Sequence, residues 1–360
     1  MKKQKKGNAG RTIGRVLLIA ATVLVLVVIA LYGVMWILAN GPSPTARRLF
    51  VLSVKETSAG GFLAHMVLSN EEIDSILNGN SSGVSDDRTD TSLIQLPDKN
   101  NGEGGEGGVG GGTGITLAPS ETDDGNGSDT PNGTEGIEVH DVKGSTYHGK
   151  MMVIKDPSRV FVGIPGEYGE GHSGLTVAAM IDKYGAVAGT NAGGFYDPNG
   201  QGTGGIPDGI VIYEGELKWG QLGATYSIAG IDKSGILHVG NMTAAHALDI
   251  GIQYAASYGP ALVINGNPAG QYLGGGLNPR TAIGQRSDGA ILLLVINGRS
   301  IDSLGATLDD LTEIMLSYGA INASNLDGGS SSIMIMNGEY LTSSAYIFGE
   351  RVVATAILVK

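Results

Sequence analysis

Four loops hold the residues whose types and spacing could do chemistry: NAGGFYDP (191–198), IPDG (206–209), NPRTAIG (278–284) and NLDGGSSS (325–332). In the last, Asp327 precedes Gly328 and Gly329, whose backbone N–H groups can approach a ligand closely. Ser330, Ser331 and Ser332 follow. Glycine backbone with adjacent hydroxyls suits phosphate or sugar oxygens, and the same residues would also make a tight turn with solvated serines. Arg280 lies between Pro279 and Thr281. Its guanidinium can clamp a phosphate or carboxylate bidentately, or close a structural ion pair. Asp208 and Asp197 add carboxylates, each as suited to an Asx turn as to acid–base work. Asn191 and the Gly193–Gly194 pair complete the set.

Several chemistries are absent. The 360 residues include no cysteine, which excludes disulfides, Cys-ligated metals and thiol nucleophiles. The sequence has no G-x-S-x-G elbow, Walker A loop or H-E-x-x-H helix. Its six histidines are scattered outside the four loops, which disfavours a His-based triad or a zinc hydrolase. Carboxylates and asparagines near the loops are compatible with a divalent cation, but no spacing demands one. A net charge of −12 argues against nucleic-acid binding.

The elements that must position these loops are partly readable. Thr307 caps a helix with Asp310 as its capping-box partner. Leu311, Ile314, Met315 and Tyr318 form its apolar face, and Gly319 ends it. A second helix runs from about Thr176 to Tyr184 and stops at Gly185. After each helix comes a similar stretch, YGAVAGTNAGG (184–194) and YGAINASNLDGG (318–329), with an asparagine seven residues after the tyrosine. YGPALVING (258–266) shares that spacing. A reused helix–strand–loop unit would set Asn191, Asn265 and Asn325 at equivalent strand ends, where ligand sites gather in open α/β sheets. Gly209–Leu217 predicts a hairpin turning at Glu214-Gly215. Ala290–Ile296 predicts a buried strand, and Ile333–Met336 leads into a turn at Asn337-Gly338. Helices mixed with hairpins predict an α+β (mixed α/β) domain around one twisted mixed sheet with flanking helices.

Glycine makes up 60 of the 360 residues, but without a Gly-X-Y period. Residues 1–15 form a basic stub, and 16–38 an uncharged apolar run long enough to span a bilayer as a helix. Lysine and arginine on its N-terminal side predict a single-pass anchor with a cytoplasmic N-terminus and everything after it outside. A cleaved signal peptide normally has a shorter apolar region. Residues 39–79 are a juxtamembrane segment in which Ser69-Asn70-Glu71-Glu72 caps a short helix. Residues 80–135 hold eleven acids, two bases and few large apolar side chains. They predict a disordered, solvated spacer, and the acidic run Asp123–Asp129 is read as part of it. Residues 136–360 remain, ample for one core.

NAGGFY (191–196), GPALVING (259–266), NPRTAIG (278–284), LVINGR (294–299), GATLDDL (305–311) and NLDGGSSS (325–332), in this order, resemble the phosphodiester glycosidase family. The resemblance covers most of the last 225 residues. It implies hydrolysis of a sugar-1-phosphodiester, releasing the sugar and leaving a phosphomonoester. On that reading Arg280, Thr281 and the Gly328, Gly329, Ser330, Ser331 loop hold the phosphate. Asp327 activates water or stabilises the sugar cation, with Asp208 as a second carboxylate. Asn191, Asn325 and the Gly193–Gly194 turn meet the sugar. The anchor and spacer point to sugar-phosphate linkages in cell-surface polysaccharide, such as exopolysaccharide. A non-catalytic polysaccharide-binding module with the same fold, or a sugar-phosphate transferase, is the alternative.

Overall fold

The computed structural model describes residues 8–57, 60–78, 89–96, 133–270, 273–346 and 348–360. Seven α-helices lie among them: α1 (Asn8–Asn40), α2 (Pro44–Lys55), α3 (Phe62–His65), α4 (Asn70–Asn78), α5 (Val177–Tyr184), α6 (Ala244–Asp249) and α7 (Leu308–Ser317).

The strands form three antiparallel sheets rather than the single mixed sheet expected. The seven-stranded sheet runs, in spatial order, Ile137–Lys143, His148–Ile154, Ile291–Ile296, Arg280–Arg286, Ala320–Leu326, Ala261–Ile264 and Asn267–Pro268. A five-stranded sheet runs Glu339–Tyr340, Met334–Met336, Ala188–Asn191, Ala356–Val359 and Val160–Gly163. The other five-stranded sheet runs Glu216–Trp219, Val211–Tyr213, Ile252–Ser257, Thr225–Asp232 and Leu237–Thr243. The reason for the difference lies in the connections. Tight turns such as Glu214-Gly215 and Asn337-Gly338 adopt positive φ at both residues. Such turns return the chain beside itself, which gives antiparallel pairs.

Each sheet turns one face to a common core and the other to a helix. Along Ile291–Ile296, the side chains of Ile291, Leu293 and Val295 enter the shared core, with Ile231, Leu237 and Ile357 from the other sheets. Leu292, Leu294 and Ile296 point the opposite way, onto Leu311, Ile314 and Met315 of α7. Alternation with both faces covered is why this strand reads as an unbroken apolar run. Helix α5 covers one five-stranded sheet through Val177, Met180 and Ile181. Helix α6 covers the other through Ala244 and Ala247.

The local signals act as expected at both long domain helices. Thr307 and Asp310 form a reciprocal capping box on α7. Thr176 caps α5, and Gly185 ends it in the left-handed region at φ 60°. The repeat holds for two of its three copies. Asn191 ends a strand that follows α5, and Asn325 lies near the end of one that follows α7. Asn265 instead occupies a turn at φ 52°, where its N–H donates to Asn322 Oδ1, away from the Asn325 end.

The N-terminal part has more order than its sequence suggested. Residues Thr12–Asn40 of α1 are long and apolar enough to cross a membrane. Ala39 at its end packs with Val51, Ala64 and Ile73 of α2–α4 and with Leu68 between α3 and α4. Of the two expected caps of α4, Ser69 or Asn70, it is Ser69 that serves, in a reciprocal pair with Glu72. Within the stretch read as spacer, residues 89–96 lie on the domain. Ile94 is buried, the Asp90 N–H bonds Asn265 Oδ1, and the Gln95 N–H bonds the Ser287 carbonyl. Residues 79–88 and 97–132, including Asp123–Asp129, lie outside the described residues, as does the basic stub up to residue 7.

The capping box gives a direct check. Thr307→Ala should cost about 1 kcal/mol, a fall in Tm of roughly 2–4 °C for a domain of this size. An unchanged Tm would show that α7 is held by packing alone.

Candidate active site at the junction of three sheets

The ends of the three sheets converge on one cleft of about 470 Å³. The register in the seven-stranded sheet sets its floor. Thr281 pairs with Leu326, so Arg280 and Asp327 follow as the next residues out on neighbouring strands. Asn191, from the second sheet, pins this end. Its Nδ2 donates to the Asp327 carbonyl at 2.5 Å, and its Oδ1 accepts from Thr281 Oγ1 at 2.8 Å and from the Ile333 N–H at 3.2 Å. The Asp327 N–H donates to the Ala192 carbonyl at 2.8 Å. Tyr258 enters from the third sheet, just past the strand Ile252–Ser257.

One end of the cleft is basic. Arg280 is only 7% exposed. Its Nε donates to the Ala306 carbonyl at 3.1 Å and its Nη2 to the Gly276 carbonyl at 2.7 Å. Nη2 also meets Glu56 Oε2, at 2.7 Å. Arg299 lines the same end and donates to Asn278 Oδ1 at 3.2 Å. Burial, together with the charge of Arg280, pulls the Arg299 guanidinium down from its usual range.

Beside Arg280, on the neighbouring strand, stands Asp327. Its carboxyl is partly accessible from the cleft and otherwise enclosed by protein. Desolvation pushes its pKa up to about 7, against the opposing pull of the Ser331 hydroxyl, the Arg351 charge and the Gly328 N–H. The group therefore changes protonation near neutrality, where acid–base chemistry is most effective. Arg351 is buried beside it. It pairs with both carboxylate oxygens of Asp197, donates to Ser330 Oγ at 3.1 Å and lies over the Phe195 ring at 5.0 Å. Burial, and next the charge of Asp327, pushes the Tyr258 hydroxyl up, so it remains a donor at neutral pH. Partial burial also raises Asp208. Asn325 lines the cleft with its Nδ2 on the Gly259 carbonyl at 2.7 Å, while its buried Oδ1 has no partner. A buried acceptor left unmet is costly, and a ligand hydroxyl would satisfy it.

The sequence-derived residues divide accordingly. Arg280, Asp208, Asn325, Asp327 and the Gly328, Gly329, Ser330, Ser331 loop line the cleft. Asn191 and Thr281 are fully buried behind it, bonded to each other. Gly193 and Gly194 are also buried and do not line it. A Cβ on Gly194 would lie 2.7 Å from the Tyr258 ring, and one on Gly193 3.1 Å from the Ser257 carbonyl. The two glycines thus let loops from different sheets approach. Glu56, Tyr258, Asn278, Arg299 and Arg351 were assigned no role from sequence. Arg299 stood in LVINGR with an unusual left-handed φ of 59°, and Arg351 is a lone base before an apolar strand. Among the described residues, no group of three or more His, Asp or Glu side chains is placed to hold a metal ion.

A cleft with paired guanidiniums, a carboxyl titrating near neutrality and an unmet amide oxygen is fitted to a ligand that is both anionic and hydroxyl-rich. Residues 184–360 match the model of the phosphodiester glycosidase family, and the C-terminal domain belongs to that family. An uncharacterized SPbeta prophage-derived protein of Bacillus subtilis, YomE, is 35% identical over 176 residues, or 47% of this chain and 27% of that protein. The bovine (Bos taurus) N-acetylglucosamine-1-phosphodiester alpha-N-acetylglucosaminidase is 36% identical over 62 residues, 17% of this chain and 12% of that protein. The chain thus spans about a quarter of the first relative's length and about an eighth of the second's. The fold resembles the catalytic domain of the zebrafish N-acetylglucosamine-1-phosphodiester alpha-N-acetylglucosaminidase, auto-inhibited by its pro-peptide. That match has a TM-score of 0.51 and 22% identity, over 62% of this chain and 81% of that one.

Removing the Asn191 amide tests whether it positions the site. Asn191→Ala leaves the Asp327 carbonyl and the Ile333 N–H unmet, while the Thr281 hydroxyl keeps Ser332 Oγ, and should cost roughly 2–4 kcal/mol in urea unfolding. An unchanged midpoint would show that the loop is held some other way.

Proposed function

We propose that the domain hydrolyses sugar-1-phosphodiesters, with Asp327 as the general base and the arginine end of the cleft holding the phosphate. The observation that carries this reading is the pairing, in one cleft, of buried Arg280 with a carboxyl whose pKa is raised to about 7. Family membership supports the reaction class.

The chemistry needs little else. Asp327, as carboxylate, takes a proton from water while the water oxygen bonds the anomeric carbon. The bond from that carbon to the phosphate oxygen breaks, and its electron pair stays on the phosphate. A phosphate monoester, with a second pKa of about 6, leaves as an anion without a strong general acid. Arg280 and Arg299 stabilise the charge that gathers there. Asn325 Oδ1 accepts from a sugar hydroxyl, and Tyr258 donates to a sugar or phosphate oxygen. Arg351, fixed by Asp197 and Phe195, keeps positive charge next to Asp327 and limits how far burial raises it. Asn191, Thr281, Gly193 and Gly194 act by holding the loops.

The arrangement of the chain suggests where this happens. Helix α1 is read as an uncleaved anchor with its basic N-terminal flank inside the cell. The domain would then work outside, on sugar-phosphate linkages in cell-surface polysaccharide.

The role of Asp327 sets the pH dependence. kcat/KM should rise about tenfold per pH unit below about 7 and level off above it. Asp327→Asn should lower kcat by roughly 10²–10⁴-fold. Its effect on stability has a definite sign. The folded pKa lies above the ordinary value of 3.8, so ionising the buried carboxyl opposes folding. That cost is absent below about pH 4, grows as pH rises toward 7 and is complete above it. The inactive Asn variant should therefore melt higher than wild type at pH 8 and no higher at pH 4. An active variant, or a flat pH–rate profile, would remove Asp327 from the reaction.

Arg280→Ala should weaken binding of a sugar-1-phosphodiester roughly 10- to 100-fold and binding of the corresponding neutral sugar much less. Equal losses in calorimetry would make Arg280 structural.

A further inference from the structure

Two large apolar side chains of α3 face away from the core of the N-terminal helices. Phe62 is 61% exposed, and Met66, the C-cap, is 49% exposed. Four residues apart, they share one face of the helix, while Ala64 is buried on the other with Val51 and Ile73. The exposed face lies beside the end of α1. The Asn40 amide donates to the Val67 carbonyl, next to Met66, at 3.2 Å, and Ala39 is fully buried with residues of α2–α4. Trp36 and Tyr32, one and two turns before Asn40, are exposed. Trp and Tyr mark the level at which hydrocarbon gives way to headgroups. Asn40 stands about 6 Å past Trp36 along the helix, within a headgroup layer roughly 5–8 Å deep on each side of a bilayer.

The same helices are bonded to the cleft. At the far end of α2, Ser53 Oγ accepts from the Leu277 N–H at 2.8 Å and Glu56 Oε1 from the Gly276 N–H at 3.0 Å. A Cβ on Gly276 would lie 2.2 Å from the Ser53 nitrogen, so the two backbones approach closely. Glu56 Oε2 accepts from Asn278 Nδ2 at 2.8 Å and Arg280 Nη2 at 2.7 Å. Nη1 of Arg280 stays unbonded among the described residues. Helix α2 is about 18 Å long, and Gly41, Pro42 and Ser43 join it to α1. The arginine end of the cleft therefore lies within roughly 30 Å of the end of α1, whatever the length of chain between residues 78 and 133.

We propose that α2–α4 sit on the surface of the membrane that α1 crosses, with Phe62 and Met66 in the bilayer, and that the cleft takes sugar-1-phosphodiesters whose second ester is a membrane-lipid alcohol. The substrate class rests on the hydrolytic reading above and narrows it to linkages borne by lipid. The bilayer is the occupant of the exposed face because that face adjoins an apolar helix at its aromatic end. The phosphate of such a substrate meets Arg280 Nη1 and Arg299. Arg299 Nη2 also donates to Thr57 Oγ1, just past α2, at 3.4 Å, so the lipid ester lies next to the seated helices. Water adds to the anomeric carbon, and the lipid monophosphate leaves with the bonding pair. Seating confines cleft and substrate to one layer, which raises the concentration of each as the other meets it.

The test uses the full chain in nanodiscs of phosphatidylcholine and phosphatidylglycerol. The chain has no cysteine, so a nitroxide on one introduced cysteine reads one position. On Phe62→Cys and on Met66→Cys, oxygen, which concentrates in lipid, should relax the nitroxide more than a water-soluble nickel chelate does. On Ser234→Cys, at an exposed turn of the domain, the order should reverse. Two esters of alpha-N-acetylglucosamine-1-phosphate then read the substrate class, a phytanyl ester in the disc and a methyl ester in solution. Replacing both exposed side chains, Phe62→Asp with Met66→Asp, should lower kcat/KM for the phytanyl ester about tenfold and leave the methyl ester unchanged. Nitroxides as open to nickel at 62 and 66 as at 234 would overturn the proposal. So would hydrolysis of the methyl ester alone, or a phytanyl-ester rate untouched by the paired substitution. Lipid-facing nitroxides with neither ester hydrolysed by wild type would uphold the seat and reject the hydrolytic reading.

Discussion

A guanidinium buried at the end of a sheet has to be satisfied on every side. Arg280 sits where the seven-stranded sheet runs out, 7% exposed, with carbonyls from Gly276 and Ala306 fixing two of its edges. Those carbonyls leave its charge uncompensated, and an unpaired buried charge is among the most costly things a fold can hold. The site therefore demands an anion. Glu56 supplies it, with its Oε2 at 2.7 Å from Arg280 Nη2. Much of the surrounding architecture follows from keeping that position receptive to an anion. Gly276 lets the donor loop approach closely, Asn278 adds a second donor, and Arg299 reinforces the positive charge.

Asp327, at the same level of the neighbouring strand, works by the reverse logic. Asp327 is surrounded by protein rather than by counter-charges, so its ionised form is disfavoured and its pKa moves toward neutrality. Arg351 is near enough to matter, but its charge is largely committed to Asp197. The antiparallel register carries the two groups together, since Arg280 and Asp327 leave adjacent strands at the same level. On the proposed reading, a phosphate held by Arg280 would bring the bond to be broken beside Asp327. Asn191 joins the arrangement to the second sheet.

Much of this was legible in the sequence, for local reasons. The caps at Ser69 and Thr307, the stops at Gly185 and Gly319, and the turns at Glu214-Gly215 and Asn337-Gly338 are fixed by residues a few positions apart. The loops bearing Arg280, Asn325 and Asp327 announced themselves because charged and glycine-rich segments interrupt apolar strands. The sheets were not legible. ILLLVI reveals a strand covered on both faces, but not which strands flank it or that three sheets share the core. Asn191 and Thr281 look like ligand groups in a loop motif, and only tertiary packing buries them against each other. Glu56 lay furthest from view. Nothing within a helix C-cap in a juxtamembrane segment signals a partner 224 residues away.

The central claim is that water adds to the sugar while the phosphate departs as an anion held by arginines. Hydrolysis of an alpha-N-acetylglucosamine-1-phosphodiester by the purified protein in ¹⁸O-labelled water tests this most directly, with mass spectrometry of both products. The account predicts the label in the anomeric hydroxyl of the released sugar and none in the phosphomonoester. Label in the phosphate would mean attack at phosphorus, and would contradict the roles given to Asp327 and Arg280.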